Sequence, residues 1–193
     1  MFIGHYGVAL AAKKWDSRPS LGTLFMASQF IDLLWPLFLL LGIEQVRIDP
    51  GNTAFTPLDF VNYPFSHSFI GVLIWAVLFG GIYYAVKHSR KGALVVALLV
   101  LSHWILDFIT HRPDLPLMPG SGLKLGLSLW NFVFFSILLE GIIFFAGTYL
   151  YSKATTAKNR TGKIAFWSLI IFLVIVYLAN IFGPPPPSPE QLA

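Results

Sequence analysis

Long apolar runs separated by short charged connections make up most of the chain. Five of them, 21–43, 67–86, 93–111, 126–151 and 164–183, reach the roughly 20 residues that a helix needs to cross a hydrocarbon core of about 30 Å. The pattern predicts an all-α fold, a polytopic transmembrane helix bundle of about five spans. The fourth run is longer than a perpendicular span requires, so its helix tilts or starts late. Met1–Ala12 is apolar but too short to span. It reads either as a half-helix ending with His5 about 12 Å beyond Lys13, at 1.5 Å per residue, or as an interfacial helix lying flat. Its lysines follow the apolar stretch, the reverse of a secretory signal's order, so no cleavable signal is expected. Residues 1–183 form one predicted transmembrane domain, and 184–193 a Pro-rich tail that starts as a short polyproline spacer.

Polar residues interrupt the runs in a few places. The third run closes on Ser102-His103-Trp104-Ile105-Leu106-Asp107-Phe108-Ile109-Thr110-His111-Arg112-Pro113. On a helix, positions four apart advance about 40°, so His103, Asp107 and His111 leave one face. Ionisable groups in such a run are costly unless they pair, bind a cation or line water. Arg112 before Pro113 ends the helix, which puts His111 at its rim. The first run holds Gln29, Asp32 and Pro36; a proline here frees the carbonyl of Asp32 and predicts a kink beside that carboxylate. Asp32 reads as a site residue rather than a helix-pairing one. Between the first two runs lies the longest connection, 44–66, with a turn signal at Asp49-Pro50-Gly51-Asn52 and the length of a functional lid. It leads into Ser66-His67-Ser68, where Ser66 is a candidate N-cap and His67 a ligand or an interfacial histidine. Glu140, mid-way along the fourth run, reads as a distal ligand, a proton relay or a protonated core carboxyl. The fifth run has no ionisable residue between Ile164 and Phe182 and reads as structural, while His88 belongs to a solvated loop.

Composition narrows the class. The chain is 56% hydrophobic and 11% charged, with a mean hydropathy of +0.71, whereas soluble domains are nearer a quarter charged. The net charge of +4 therefore does not point to nucleic acid, and no nucleic-acid partner is expected. Ten of the thirteen basic residues fall in 1–20, 87–92 and 152–163, all on one side of a five-span arrangement. The positive-inside tendency then predicts a cytoplasmic N-terminus and an outside C-terminus. With no cysteine, disulfides, thiolate catalysis and thiolate metal sites are excluded.

Any metal must therefore be held by nitrogen and oxygen. Asp32, His67, His103 and Asp107 are the most compact candidate set, sufficient for zinc, or for manganese or iron with added waters. His5 and His111 can serve a second metal or its surroundings. A metal there offsets the cost of burying the carboxylates, activates a bound water and polarises a phosphoryl or carbonyl oxygen. Depth is the geometric difficulty. Asp32 lies about 16 Å below Ile43 in a straight helix, so either the kink lifts it or the start of the second span is submerged beneath the 44–66 connection.

The order Gly4-His5, Phe30-Ile31-Asp32, Phe65-Ser66-His67-Ser68 and His103-x-x-x-Asp107-x-x-Thr110 resembles a bacterial family of membrane-bound metal-dependent hydrolases. That family is itself distantly similar to zinc-dependent phospholipase C. The resemblance covers roughly residues 1 to 140 and implies His5, Asp32, His67, His103 and Asp107 as metal ligands. A single Asp32 stands where members often carry paired aspartates, Asn62 where they often carry a further histidine, and Glu140 lacks the histidine of a His-x-x-x-Glu pair. The expected activity is hydrolysis of an ester or phosphoester of a membrane lipid or lipid-linked substrate at the outer face. Asp32 or Asp107 would orient the attacking water, His111 or Arg112 would steady developing charge, and Asn62 and Glu140 would belong to the surroundings. Two other classes fit the same residues. Asp32, Asp107 and Glu140 with a Pro-broken helix suit a cation or proton path, although no inverted repeat is visible. Alternatively, the polar residues only lock helices together in a structural or partner-binding protein.

Overall fold

The computed structural model describes residues 1–184; most of the predicted Pro-rich tail lies outside the described residues. The fold is predominantly helical. Four helices are long and apolar enough to cross a membrane: α4 (Phe69–Lys87), α5 (Arg90–Thr110), α6 (Val133–Ala154) and α7 (Arg160–Phe182). The bent pair α2 (Leu21–Ser28) and α3 (Phe30–Leu40) makes a fifth candidate span. Ser20, Ser68, Ser89 and Asn159 start α2, α4, α5 and α7 by accepting from the backbone N–H three residues on, which satisfies donors that a helix start leaves free. Ser66, the candidate cap, is not used in this way.

α5 is the central helix. Half of its apolar stretch is buried inside the bundle, against 17% for α7, and it packs on α1 (Ile3–Ala12), α2 and α4. The short α1 is inserted in the bundle rather than lying flat: His5, Ala9 and Leu10 are fully buried. Its main neighbour is α6. A Cβ on Gly7 would lie 2.6 Å from the Ile143 carbonyl oxygen and one on Gly147 2.0 Å from that of Gly7, so the two backbones cross where only glycine fits. At one end of the bundle Lys13, Arg18, Lys91 and Ala154 line a common shallow cavity, which brings together the basic connections that follow α1, α4 and α6.

The kink differs from expectation. α2 and α3 meet at 54°, and the break falls at Gln29, while Pro36 stays inside α3. At the break, the Ser28 carbonyl accepts from His103 Nδ1 at 2.8 Å. The 44–66 connection carries regular structure. It forms an antiparallel hairpin of β1 (Gln45–Ile48) and β2 (Leu58–Asn62), turning where Asn52 N–H meets Asp49 O at 3.0 Å and Gly51 takes φ +95°. A second small hairpin, β3 (Leu115–Pro116) with β4 (Lys124–Leu125), precedes the fourth apolar run, and a 3-10 turn at Leu129–Asn131 occupies its start. That is why α6 begins late.

Candidate metal site

α5 presents His103 and Asp107 one turn apart, both buried. The α2–α3 break carries Asp32 to them, and the turn before α4 carries His67. His103 Nε2 lies 3.1 Å from Asp107 Oδ2 and 3.3 Å from Asp32 Oδ1. His67 Nε2 lies 3.5 Å from Asp32 Oδ1 and 3.8 Å from Asp107 Oδ2. The depth difficulty is resolved without a kink at Pro36: the break at Gln29 reorients α3, and His67, in the turn before α4, is 3% exposed.

The ring nitrogens on the far sides decide what faces inward. His103 Nδ1 meets a backbone carbonyl, which only accepts, so Nδ1 carries the proton. In its neutral form His103 directs its Nε2 lone pair at two carboxylates. This Nε2 makes no hydrogen bond despite complete burial. An acceptor facing acceptors is the arrangement that a cation completes.

α1 adds a second group. His5 stacks on His103 with ring centroids 3.8 Å apart and places Nε2 3.2 Å from Asp107 Oδ1. The Met1 amino group lies 2.6 Å from the same oxygen. Two triads, His5–His103–Asp107 and Asp32–His67–His103, therefore bring ligand-type atoms within 4.8 Å of one another, sharing His103. Glu140 is not among them. Its Oε2 accepts from the backbone N–H of Phe2 at 2.7 Å and of Gly4 at 3.3 Å, closing the start of α1 where a helix leaves donors unsatisfied.

A cavity of about 250 Å³ opens over Asp32, His67, Asp107 and His111, walled by Trp35, Phe55, Phe60 and Trp130. The Asp32 side chain is 38% exposed, whereas those of Asp107 and His103 are 2% and 0%. His111 stands apart from the triads. Its Nδ1 meets Asp114 Oδ1 at 3.0 Å, an oxygen that also accepts from Tyr63 Oη at 2.7 Å. Burial pushes the His111 imidazole below its ordinary range, against the pull of Asp114. Burial alone would raise the Asp114 carboxyl, but the hydrogen bonds from His111 and Tyr63 and the Arg112 charge outweigh it and hold it low. Tyr63 is held well above the ordinary phenol range by burial and then by Asp114. The Arg112 guanidinium is paired with Asp59 and Asp114 and does not line the cavity. Asn62 is exposed, opposite Gln45 on the hairpin.

Three further residues went unseen in the sequence. Asp114 could have been found from its His111-x-x-Asp114 spacing. Tyr63 and Glu44 had no local signal. Glu44 is 2% exposed and accepts from the N–H groups of Phe65 and Ser66 and from Ser66 Oγ.

A family model described as YdjM inner membrane protein matches residues 48–183. The chain belongs to this family and is a multi-pass inner-membrane protein. The matched stretch contains His67, His103, Asp107, His111 and Glu140, while His5, Asp32 and Glu44 precede it. The family's description names a membrane and no reaction. No curated protein and no solved structure matches the chain.

Proposed function

We propose that the protein is a metal-dependent hydrolase acting on an ester or phosphoester of a membrane lipid or lipid-linked substrate. The observation that carries this reading is the convergence of the His67 and His103 Nε2 atoms on the carboxylates of Asp32 and Asp107, at 3.1 to 3.8 Å. Two imidazoles and two carboxylates suit zinc, with manganese or iron as alternatives. Asp32, His67, His103 and Asp107 would hold one ion, and His5 with the other oxygen of Asp107 a second. Bound metal supplies a nucleophile from water near neutral pH and a Lewis acid for the scissile group.

The chain's own groups do the rest. Asp32, the most exposed carboxylate of the set, accepts the proton of the attacking water. Asp107 stays buried and orients His5 and His103. His111, held by Asp114, faces the same cavity as a neutral imidazole, and Asp32 passes the proton it has taken to the leaving oxygen. A space of about 250 Å³ is below the usual size of a site that encloses a whole small molecule. It suits a headgroup whose apolar remainder stays in the bilayer, beside the exposed Leu33 and Leu37 of α3. With the basic connections on the cytoplasmic side, the cavity faces outward.

The test is elemental analysis of detergent-purified protein. Wild type is expected to retain zinc or manganese, and His103→Ala to lose it. Equal metal in both would overturn the assignment.

A further inference from the structure

His67 is the one member of the four-residue group whose far nitrogen is held by side chains. Its Nδ1 lies 2.7 Å from Ser66 Oγ, and Ser66 Oγ lies 2.6 Å from Glu44 Oε2. Glu44 Oε1 takes the backbone N–H groups of Phe65 at 2.9 Å and Ser66 at 2.8 Å. All three side chains are buried.

The direction of this relay follows from what each group can do. A carboxylate only accepts, so the single Ser66 hydroxyl proton goes to Glu44. Ser66 Oγ can then only accept from His67, which requires the proton of a neutral His67 to sit on Nδ1. Nε2 is left with its lone pair, directed at Asp32 and Asp107. We infer that Glu44 is a positioning residue which, through Ser66, fixes His67 in the tautomer able to bind a metal through Nε2. The inference rests on the metal reading above only for its consequence; the tautomer itself is a property of the metal-free chain.

Glu44→Gln separates this role from a structural one. The amide oxygen keeps both backbone N–H bonds, so the turn before α4 is preserved. The amide NH₂ now donates to Ser66 Oγ, the hydroxyl turns its proton towards His67 Nδ1, and the imidazole proton moves to Nε2. Ser66→Ala removes the relay without reversing it and leaves both tautomers accessible.

The experiment is long-range ¹H–¹⁵N correlation on metal-free, ¹⁵N-histidine-labelled protein in detergent. It is run at about pH 8, where an unperturbed imidazole is neutral, and the His67 signals are assigned by their loss in His67→Asn. Wild type is expected to show Nδ1–H at His67, Glu44→Gln to show Nε2–H, and Ser66→Ala a mixture. The same tautomer in wild type and Glu44→Gln overturns the relay, as does Nε2–H in wild type. Zinc titration of the same samples reads the consequence. Glu44→Gln is expected to bind about 10–100-fold more weakly, the range for lost outer partners of a ligand, with Ser66→Ala between it and wild type. Zinc-free wild type with the expected tautomers would overturn the metal reading and leave the relay standing. If Glu44→Gln does not fold, the Ser66→Ala mixture against a single wild-type tautomer decides.

Discussion

His103 and Asp107 rise from consecutive turns of one buried helix, whereas His67 and His111 stand in connecting segments and are held by carboxylates, His67 by Glu44 through Ser66 and His111 by Asp114 directly. In the first region covalent periodicity sets the spacing, and packing on α1, α2 and α4 sets the depth. In the second, hydrogen bonds do both. A helix-borne group tolerates loss of a neighbour because the backbone still places it. A segment-borne group can be turned or re-protonated by one isosteric change while the fold persists. Substitutions in the two regions should therefore fail differently.

The largest effect is expected at His103, which both triads share. His103→Ala should weaken metal binding by more than the roughly 10–100-fold cost of an outer partner, and calorimetric zinc titration measures it. A loss no greater than that of Glu44→Gln would erase the contrast between the regions.

Next comes the packing that carries His5. In Gly147→Val the new Cβ meets the Gly7 carbonyl oxygen at 2.0 Å, and α1 must move. Overpacking of this kind costs about 1–3 kcal/mol, seen as a lower thermal midpoint in detergent. If His5 helps hold a second ion, bound metal per chain should also fall. A lowered midpoint with unchanged metal would confine the site to the other triad.

Glu140 tests the same helix more gently. Glu140→Ala leaves the Phe2 and Gly4 N–H groups without their acceptor, at about 1–3 kcal/mol for each buried group left unsatisfied. Glu140→Gln keeps an acceptor and should lose less. A cation path through the bundle would instead make the two variants equivalent in liposome flux.

The helix-borne region was the legible one. The His103–Asp107 spacing inside an apolar run marks a shared face, and Asp32, His67 and His5 stand out because ionisable groups are rare in such runs. The span count followed from hydropathy, since the bundle is built from those same runs. The segment-borne region was mostly hidden. Glu44 read as one more acid of a loop because its partners lie 21 and 22 residues away, and Tyr63 meets Asp114 across 51. The same distance hid the hairpin, whose strands pair across the 49–57 turn. Pro36 misled for a related reason: proline marks where a helix can bend, but the bend itself falls where Ser28 O meets a histidine 75 residues on.

The smallest expected effect belongs to the segment-borne rim, and it is a dependence on pH. Burial holds the His111 imidazole below its ordinary value of 6.5, so between the two values the unfolded chain takes up the proton first. The stability from a neutral His111 is then fully present above about pH 6.5 and is lost as the pH falls through the lowered folded value. His111→Asn places an amide NH₂ near the Nδ1 position, so the contact with Asp114 is retained without a titrating group. The thermal midpoint of wild type should fall as the pH drops below about 6.5, and that of His111→Asn should fall less. Equal slopes would show that the rim histidine is not buried as the cavity requires, and would return it to the solvent-facing class in which His88 stands at the other end of the bundle.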